Sequence, residues 1–301
     1  MTATRRGVLY GAGAYLLWGL FPLYWPLLEP SSALEVLAHR ILWSLVVVVV
    51  LLGAMRRLGA VRAALSDRGR ALRLALAAVV IAINWGTYIY GVTSGQVVET
   101  SLGYFVNPIV TVLLGVVVLG ERLRTPQWVA LGAAFIAVAV LTVENGSPPW
   151  IALVLAFSFG TYGLLKKTAG VGAVEGLAIE TAVLLPVAAA YVAVLGVSGA
   201  GTFGSEGPSH AALLALSGLI TAVPLLMFGA AASRVSLTTL GLLQYLAPTM
   251  QFLLGITLFD EPLPLVKLVG FLLVWFALAL FTADLVRHHR RATRLAVSVP
   301  A

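Results

Sequence analysis

The sequence predicts an all-α membrane protein: ten transmembrane helices in two inverted-topology five-helix repeats. Three observations predict it: a composition too apolar for a solvated surface, an alternation of apolar runs with basic loops, and a self-similarity at an offset near 140 residues. Of the 301 residues, 60% are hydrophobic and only 10% charged, with a mean hydropathy of +1.00. Soluble chains carry about a quarter charged residues. Cysteine is absent, which excludes disulfides, thiolate metal sites and cysteine nucleophiles.

A helix needs about 20 apolar residues to cross the bilayer core. Ten such runs occur, at roughly 7–28, 35–54, 74–93, 98–119, 127–143, 149–165, 174–195, 210–232, 237–258 and 265–283. The first ends before Glu29-Pro30, and the second opens on Glu35 and closes at Met55-Arg56-Arg57. The turn Ser94-Gly95-Gln96 joins the third to the fourth. Glu144-Asn145-Gly146-Ser147-Pro148-Pro149 stops the fifth, Lys166-Lys167 the sixth, and a Gly/Ser stretch from Gly196 to Ser209 follows the seventh. Met1 to Arg6 resemble the charged start of a signal peptide, but the run behind them is too long for one and lacks a cleavage site, so it reads as a retained first span.

Cytoplasmic loops carry excess Lys and Arg. With both termini inside, ten spans put 17 of the 19 basic residues on the inner face. Arg40, within span two, and Lys267, at the outer edge of span ten, are the remainder. The net charge of +7 is thus placed by a plasma (inner) membrane, with nucleic acid a remote alternative. The six arginines of 55–73 suit anionic lipid headgroups.

Pro108, Gly115 and Glu121 match Pro248, Gly255 and Glu261 at the offset of 140, with Leu113-Leu114 matching Leu253-Leu254. Glu35-Val36-Leu37-Ala38 matches Glu175-Gly176-Leu177-Ala178, and Trp18-Gly19 matches Phe159-Gly160 at 141. Five spans per copy force the second copy to face the other way, an arrangement that encloses a midplane site in transporters. The division is 1–145, 146–284 and a basic cytoplasmic tail, 285–301.

The run Ser101-Leu102-Gly103-Tyr104-Phe105-Val106-Asn107-Pro108, followed by Leu119-Gly120-Glu121-Arg122-Leu123, resembles the fourth span of EamA-type members of the drug/metabolite transporter superfamily. Ala14 to Tyr24, Leu37-Ala38-His39-Arg40 and Leu242 to Thr249 look like its RarD branch, and the resemblance covers about residues 7–284. It implies an inner-membrane permease of two EamA repeats, its central cavity lined mainly by spans other than five and ten. The branch is linked to chloramphenicol sensitivity, a label that names no substrate here.

Charged side chains near the bilayer centre cost roughly 2.5–3.5 kcal/mol on insertion scales, so each needs a reason. Thr100, Tyr104, Asn107 and Thr111 form one stripe on span four, and the repeat maps Tyr104 onto Gln244 and Thr111 onto Gln251. Two such stripes, with Tyr245 beside them, suit an uncharged or zwitterionic organic substrate, or else hydrogen-bonded glue between helices. Span two carries His39 and Arg40, and Glu180 stands at the repeat position of Arg40. Arg40 lies about 8 Å below the outer boundary at ~1.5 Å per residue. Glu180 is as far from the inner one, so no direct pair is expected across a ~30 Å core. Arg40 either reaches the cavity or snorkels, and His39 fits a satisfied interior histidine as well as a ligand. Glu180 is the leading candidate for proton coupling. Asn84 and Tyr88 share a face of span three with Trp85 beside them, and with Trp18 and Trp43 they form either an aromatic wall or an interfacial belt. Tyr15 and Tyr162 fit either. Pro108 and Pro248 share a repeat position and fit hinges or static kinks alike, while Glu121 and Glu261 read as boundary or capping groups.

The sequence holds no Walker A loop, H-E-x-x-H or G-x-S-x-G motif, and no cofactor or metal cluster is expected. The expected function is secondary active transport of a small organic metabolite or drug-like compound by a non-enzyme, driven by proton exchange or by a simple gradient. A lipid-handling membrane enzyme or a passive channel is the alternative.

Overall fold

The computed structural model describes residues 3–119, 125–145, 148–232, 234, 243–266, 268–276, 279–280 and 283–284. The expectations placed on Glu121, Arg122, Lys267, span residues 237–242, the 285–301 tail and Gly146-Ser147 lie outside them, as do the side chains of Pro108, Thr111 and Lys167. All regular structure among the described residues is helical. Its elements are α1 (Ala3–Gly19), α2 (Phe21–Tyr24), a 3-10 turn (Trp25–Leu28), α3 (Ala33–Ala54), α4 (Leu58–Leu65), α5 (Arg68–Thr93), α6 (Val97–Leu119), α7 (Thr125–Asn145), α8 (Trp150–Ala169), α9 (Ala173–Ser198), α10 (Gly207–Ala232) and α11 (Leu246–Thr257). Residues 268–276 form a further helical segment.

Local chemistry sets these bounds. The Ser32 hydroxyl accepts from the Glu35 amide at 3.2 Å and opens α3 two residues ahead of the expected start. Asp67 does the same for α5 through the Arg70 amide at 2.9 Å, so that helix starts at Arg68 rather than near 74. The expected arginine-rich loop contains the extra helix α4. The first span is broken: α1 stops at Gly19, Pro22 sits in the first turn of α2, and the two pieces meet at 41°.

Ten spans were expected, whereas four single helices among the described residues are long and apolar enough to cross a membrane, within α3, α5, α9 and α10, and a fifth results if the bent pair counts as one. Breaks and polar ends account for part of the difference. The apolar part of α8 is Trp150–Lys166 and that of α11 Leu246–Thr257, both shorter than 18 residues.

Helices α5 and α6 pack on α8, α1 and α3 pack on α10, α3 also packs on α9, and α11 lies against α1 and α6. Close approach requires glycine at two of these seams. A Cβ on Gly103 would stand 2.9 Å from the Ala152 carbonyl oxygen on α8, and one on Gly218 only 2.3 Å from the Trp43 carbonyl carbon on α3. Phe105, Phe252, Phe271 and Trp275 interlock between α6, α11 and the 268–276 segment, with ring centroids 4.5–6.2 Å apart. Outward faces stay apolar: Phe135 and Val143 on α7 are 75% and 82% exposed, as a lipid-facing surface requires.

Carboxylates tie loops to distant helices. Glu35 accepts from the Thr202 amide at 2.6 Å and its hydroxyl at 3.0 Å, beside Ser31 and His210, which are 2.8 Å apart. Glu175 pairs with Arg57 at 3.3 Å. Glu261 accepts from the Val97 and Val98 amides at 2.5 and 2.9 Å and closes the N-terminus of α6, which is the capping role expected for it.

Candidate functional site

The broken start of the chain and the seams between α1, α3, α5, α6, α8, α9, α10 and α11 line a cavity of about 430 Å³. That lies in the usual 300–1,000 Å³ range of small-molecule sites. None of its described lining residues comes from α7 or the 268–276 segment, in line with the expectation that spans five and ten stand aside.

The walls are aromatic. Tyr15, Trp18 and Phe228 contact one another at 5.2–6.1 Å between centroids on one side. On the other, Tyr104 meets Tyr88 at 5.6 Å and Phe159 at 6.1 Å, and Phe159 meets Tyr162 at 6.0 Å. Asn84, 1% exposed, donates from Nδ2 to the Leu155 carbonyl at 3.1 Å and to Ser158 at 2.9 Å, and its Oδ1 accepts from the Tyr104 hydroxyl at 3.3 Å. This network fixes the cavity-facing edge of α5 against α6 and α8. Gln251 donates to the Trp18 carbonyl at 3.0 Å, which ties α11 to the end of α1, and Gln244 joins it on the lining.

Two charged side chains stand on the described lining. Arg40 is 3% exposed. Its Nε donates to Thr221 Oγ1 at 2.7 Å, and its guanidinium lies 4.2 Å over the Trp85 ring, 5.3 Å from Trp25 and 5.7 Å from Phe21. Each cation–π contact contributes about 0.5–2 kcal/mol. Burying an unpaired ion costs several kcal/mol, so these contacts offset only part of that penalty. The second is Lys166, whose Nζ meets Glu180 Oε1 at 2.7 Å while Tyr162 donates to Glu180 Oε2 at 3.2 Å.

The structure therefore brings together Trp18, Arg40, Asn84, Trp85, Tyr88, Tyr104, Gln244, Pro248 and Gln251 on one cavity. Glu180 stands directly behind Lys166. It separates others from it. His39 stacks on Phe203 at 4.7 Å, and Trp43 lies on the same ring at 6.1 Å, both against the loop before α10 and off the lining. A residue's turn on α3 decides this: His39 follows Ala38 by one step and points about 100° away from Arg40. Thr100 and Asn107 are buried but do not line the cavity, nor does Tyr245, so the α6 stripe divides between cavity and helix contact. Arg40 and Glu180 have different partners, as the expected depth difference requires. At the two hinge candidates, α6 runs unbroken through position 108, whereas the helix restarts at Leu246, just ahead of Pro248.

Lys166 is the principal residue that sequence reasoning missed, because it was assigned to an inner loop. Helix α8 runs on to Ala169 and ends at Gly170, at φ 63°. Reading that glycine as the helix end leaves Lys166 a full turn inside. Phe159, Phe228 and Thr221 were also missed, for lack of any local signal that separates them from ordinary span residues.

Residues 5–143 match the EamA-like transporter family. The chain is 55% identical to Protein RarD of Streptomyces exfoliatus, across 98% of this chain and 94% of that one. It is 43% identical to the uncharacterized transporter YojE of Bacillus subtilis (95% and 97% covered) and 42% to Protein RarD of Escherichia coli K12 (97% and 98%). A solved structure titled only as a crystal structure of protein shares the fold at a TM-score of 0.59 and 18% identity, covering 93% of this chain and 98% of that one.

Proposed function

Since this chain belongs to the EamA-like transporter family, in its RarD group, we propose that it is a secondary active permease that moves a small organic compound by alternating access around the aromatic cavity. The observation that carries this reading is the aromatic cavity itself, walled by helices from both ends of the chain, with Lys166 on its lining paired to the buried Glu180. Such a pair is expensive to bury and is kept where its charge state is used.

Ten spans in two inverted repeats, 1–145 and 146–284, with a basic cytoplasmic tail at 285–301, both termini inside and the whole in the plasma (inner) membrane, complete the proposal. Paired contacts support the repeat. Glu35 and Glu175, 140 positions apart, each hold a loop from the other half: Glu35 grips Thr202 ahead of α10, and Glu175 grips Arg57 ahead of α4. The arginine-rich segment around α4 meets anionic lipid.

Glu180 is the proposed coupling site. Protonation would break its pair with Lys166 and free an ammonium at the cavity wall. Uptake into proteoliposomes tests the whole reading, with Tyr104→Ala, Gln244→Ala and Glu180→Gln. Tyr104→Ala and Gln244→Ala should weaken transport, and Glu180→Gln should remove its dependence on an imposed pH gradient. If all three match wild type on a transported compound, the site assignment fails.

A further inference from the structure

Resting on the permease reading, we infer that the cavity takes a planar organic acid whose carboxylate seats on Arg40. A guanidinium carries five N–H donors in a fixed fork. One of them, on Nε, is given to Thr221, and the ring face is given to Trp85. Among the described residues the terminal nitrogens have no acceptor, on a side chain that lines the cavity.

The buried carboxylates of the helices around it are all committed elsewhere. Glu35, on the same helix, holds Thr202. Glu175 holds Arg57, and Glu180 holds Lys166 and Tyr162. The Lys166–Glu180 pair is neutral, so the described lining carries the one uncompensated positive charge of Arg40. Position 180 stands 140 residues beyond position 40, and its ion has a counter-ion built in. At Arg40 no described residue fills the corresponding place, and the cargo supplies the partner.

The fork of an arginine matches two carboxylate oxygens, a geometry a lysine lacks. The remaining walls select the rest of the molecule. Tyr15, Trp18 and Phe228 on one side and Tyr104, Phe159 and Tyr162 on the other present ring faces and edges to a flat apolar body. The uncharged or zwitterionic cargo expected from the polar stripes thus gives way to an anionic one, because the stripes divide and Arg40 faces inward.

The test uses matched probes on the purified full-length protein: indole-3-acetate, indole-3-acetamide and tryptamine, with benzoate, benzamide and benzylamine as a second series. Ligand-induced thermal stabilisation gives an apparent Kd for each. The acids should bind at least tenfold more tightly than their amides and amines. Arg40→Gln should weaken the acids at least tenfold and leave the amides within about twofold, and Arg40→Lys should fall between. Where Arg40→Gln does not fold, the wild-type preference for acid over amide decides alone. Equal binding of amides or amines, an acid preference that survives in Arg40→Gln, or no binding by any acid overturns the inference. Proteoliposome flux separates it from the reading beneath it. Amide or amine uptake without acid preference leaves a permease and removes the anion site. Acids that bind at Arg40 but are never moved leave the anion site and remove the permease.

Discussion

Lys166 and Glu180 meet at 2.7 Å, Nζ to Oε1, between α8 and α9, with side chains 19% and 1% exposed. The carboxylate is the deeper partner, and Tyr162 gives it a further hydrogen bond. Removing one partner of a buried pair costs about 3–5 kcal/mol, while replacing both with uncharged residues is near neutral. Lys166→Met should therefore lower thermal stability sharply, and Lys166→Met with Glu180→Gln should recover most of the loss. Thermal unfolding of the two variants in the same detergent checks it; equal stability would show that the pair is solvated.

The seam between α10 and α3 should be the least tolerant of added volume. A Cβ on Gly218 meets the main chain of Trp43 and Ser44, which cannot move aside as a side chain can. Gly218→Ala should cost at least the ~1–3 kcal/mol of ordinary overpacking. Gly53→Ala, with no atom within 4 Å of the new methyl, is the matched control. Both are read as shifts in unfolding temperature.

The repeat-related carboxylates Glu35 and Glu175 should differ in weight. Glu35→Ala strands the buried Thr202 amide, a loss of about 1–3 kcal/mol, while the Thr202 hydroxyl keeps Ser31 at 2.6 Å and His210 at 3.0 Å. Glu175→Ala releases Arg57, whose side chain is 56% exposed and rehydrates, for about 1 kcal/mol or less. Unfolding temperatures of the two variants should rank in that order.

Asp67 lies outside the spans at the N-terminus of α5. The Arg70 amide that bonds it holds its carboxyl below the usual carboxylate range. A depressed folded pKa contributes stability that is present above the unfolded value and fades as pH falls through the folded one. The stability gap between wild type and Asp67→Ala should thus be constant near neutrality and shrink in acid. Chemical or thermal unfolding at stepped pH measures it.

The sequence by itself determined the membrane class, the helical content and the candidate positions, since composition, apolar run length and basic flanks are local quantities. Arg40, Asn84, Trp85, Tyr104, Gln244 and Gln251 were legible because a polar or aromatic group in an apolar run stands out alone. What lay beyond it was direction and partnership. His39 and Arg40 are neighbours in the chain, yet one stacks on Phe203 outside the cavity and the other lines it, because each step along a helix turns about 100°. Lys166 read as a topology marker until the packing of α8 on its neighbours brought it to Glu180. Only the tertiary structure could decide that Arg40 has no carboxylate partner among the described residues, because the three buried glutamates there are taken by residues 14 to 167 positions away in the chain.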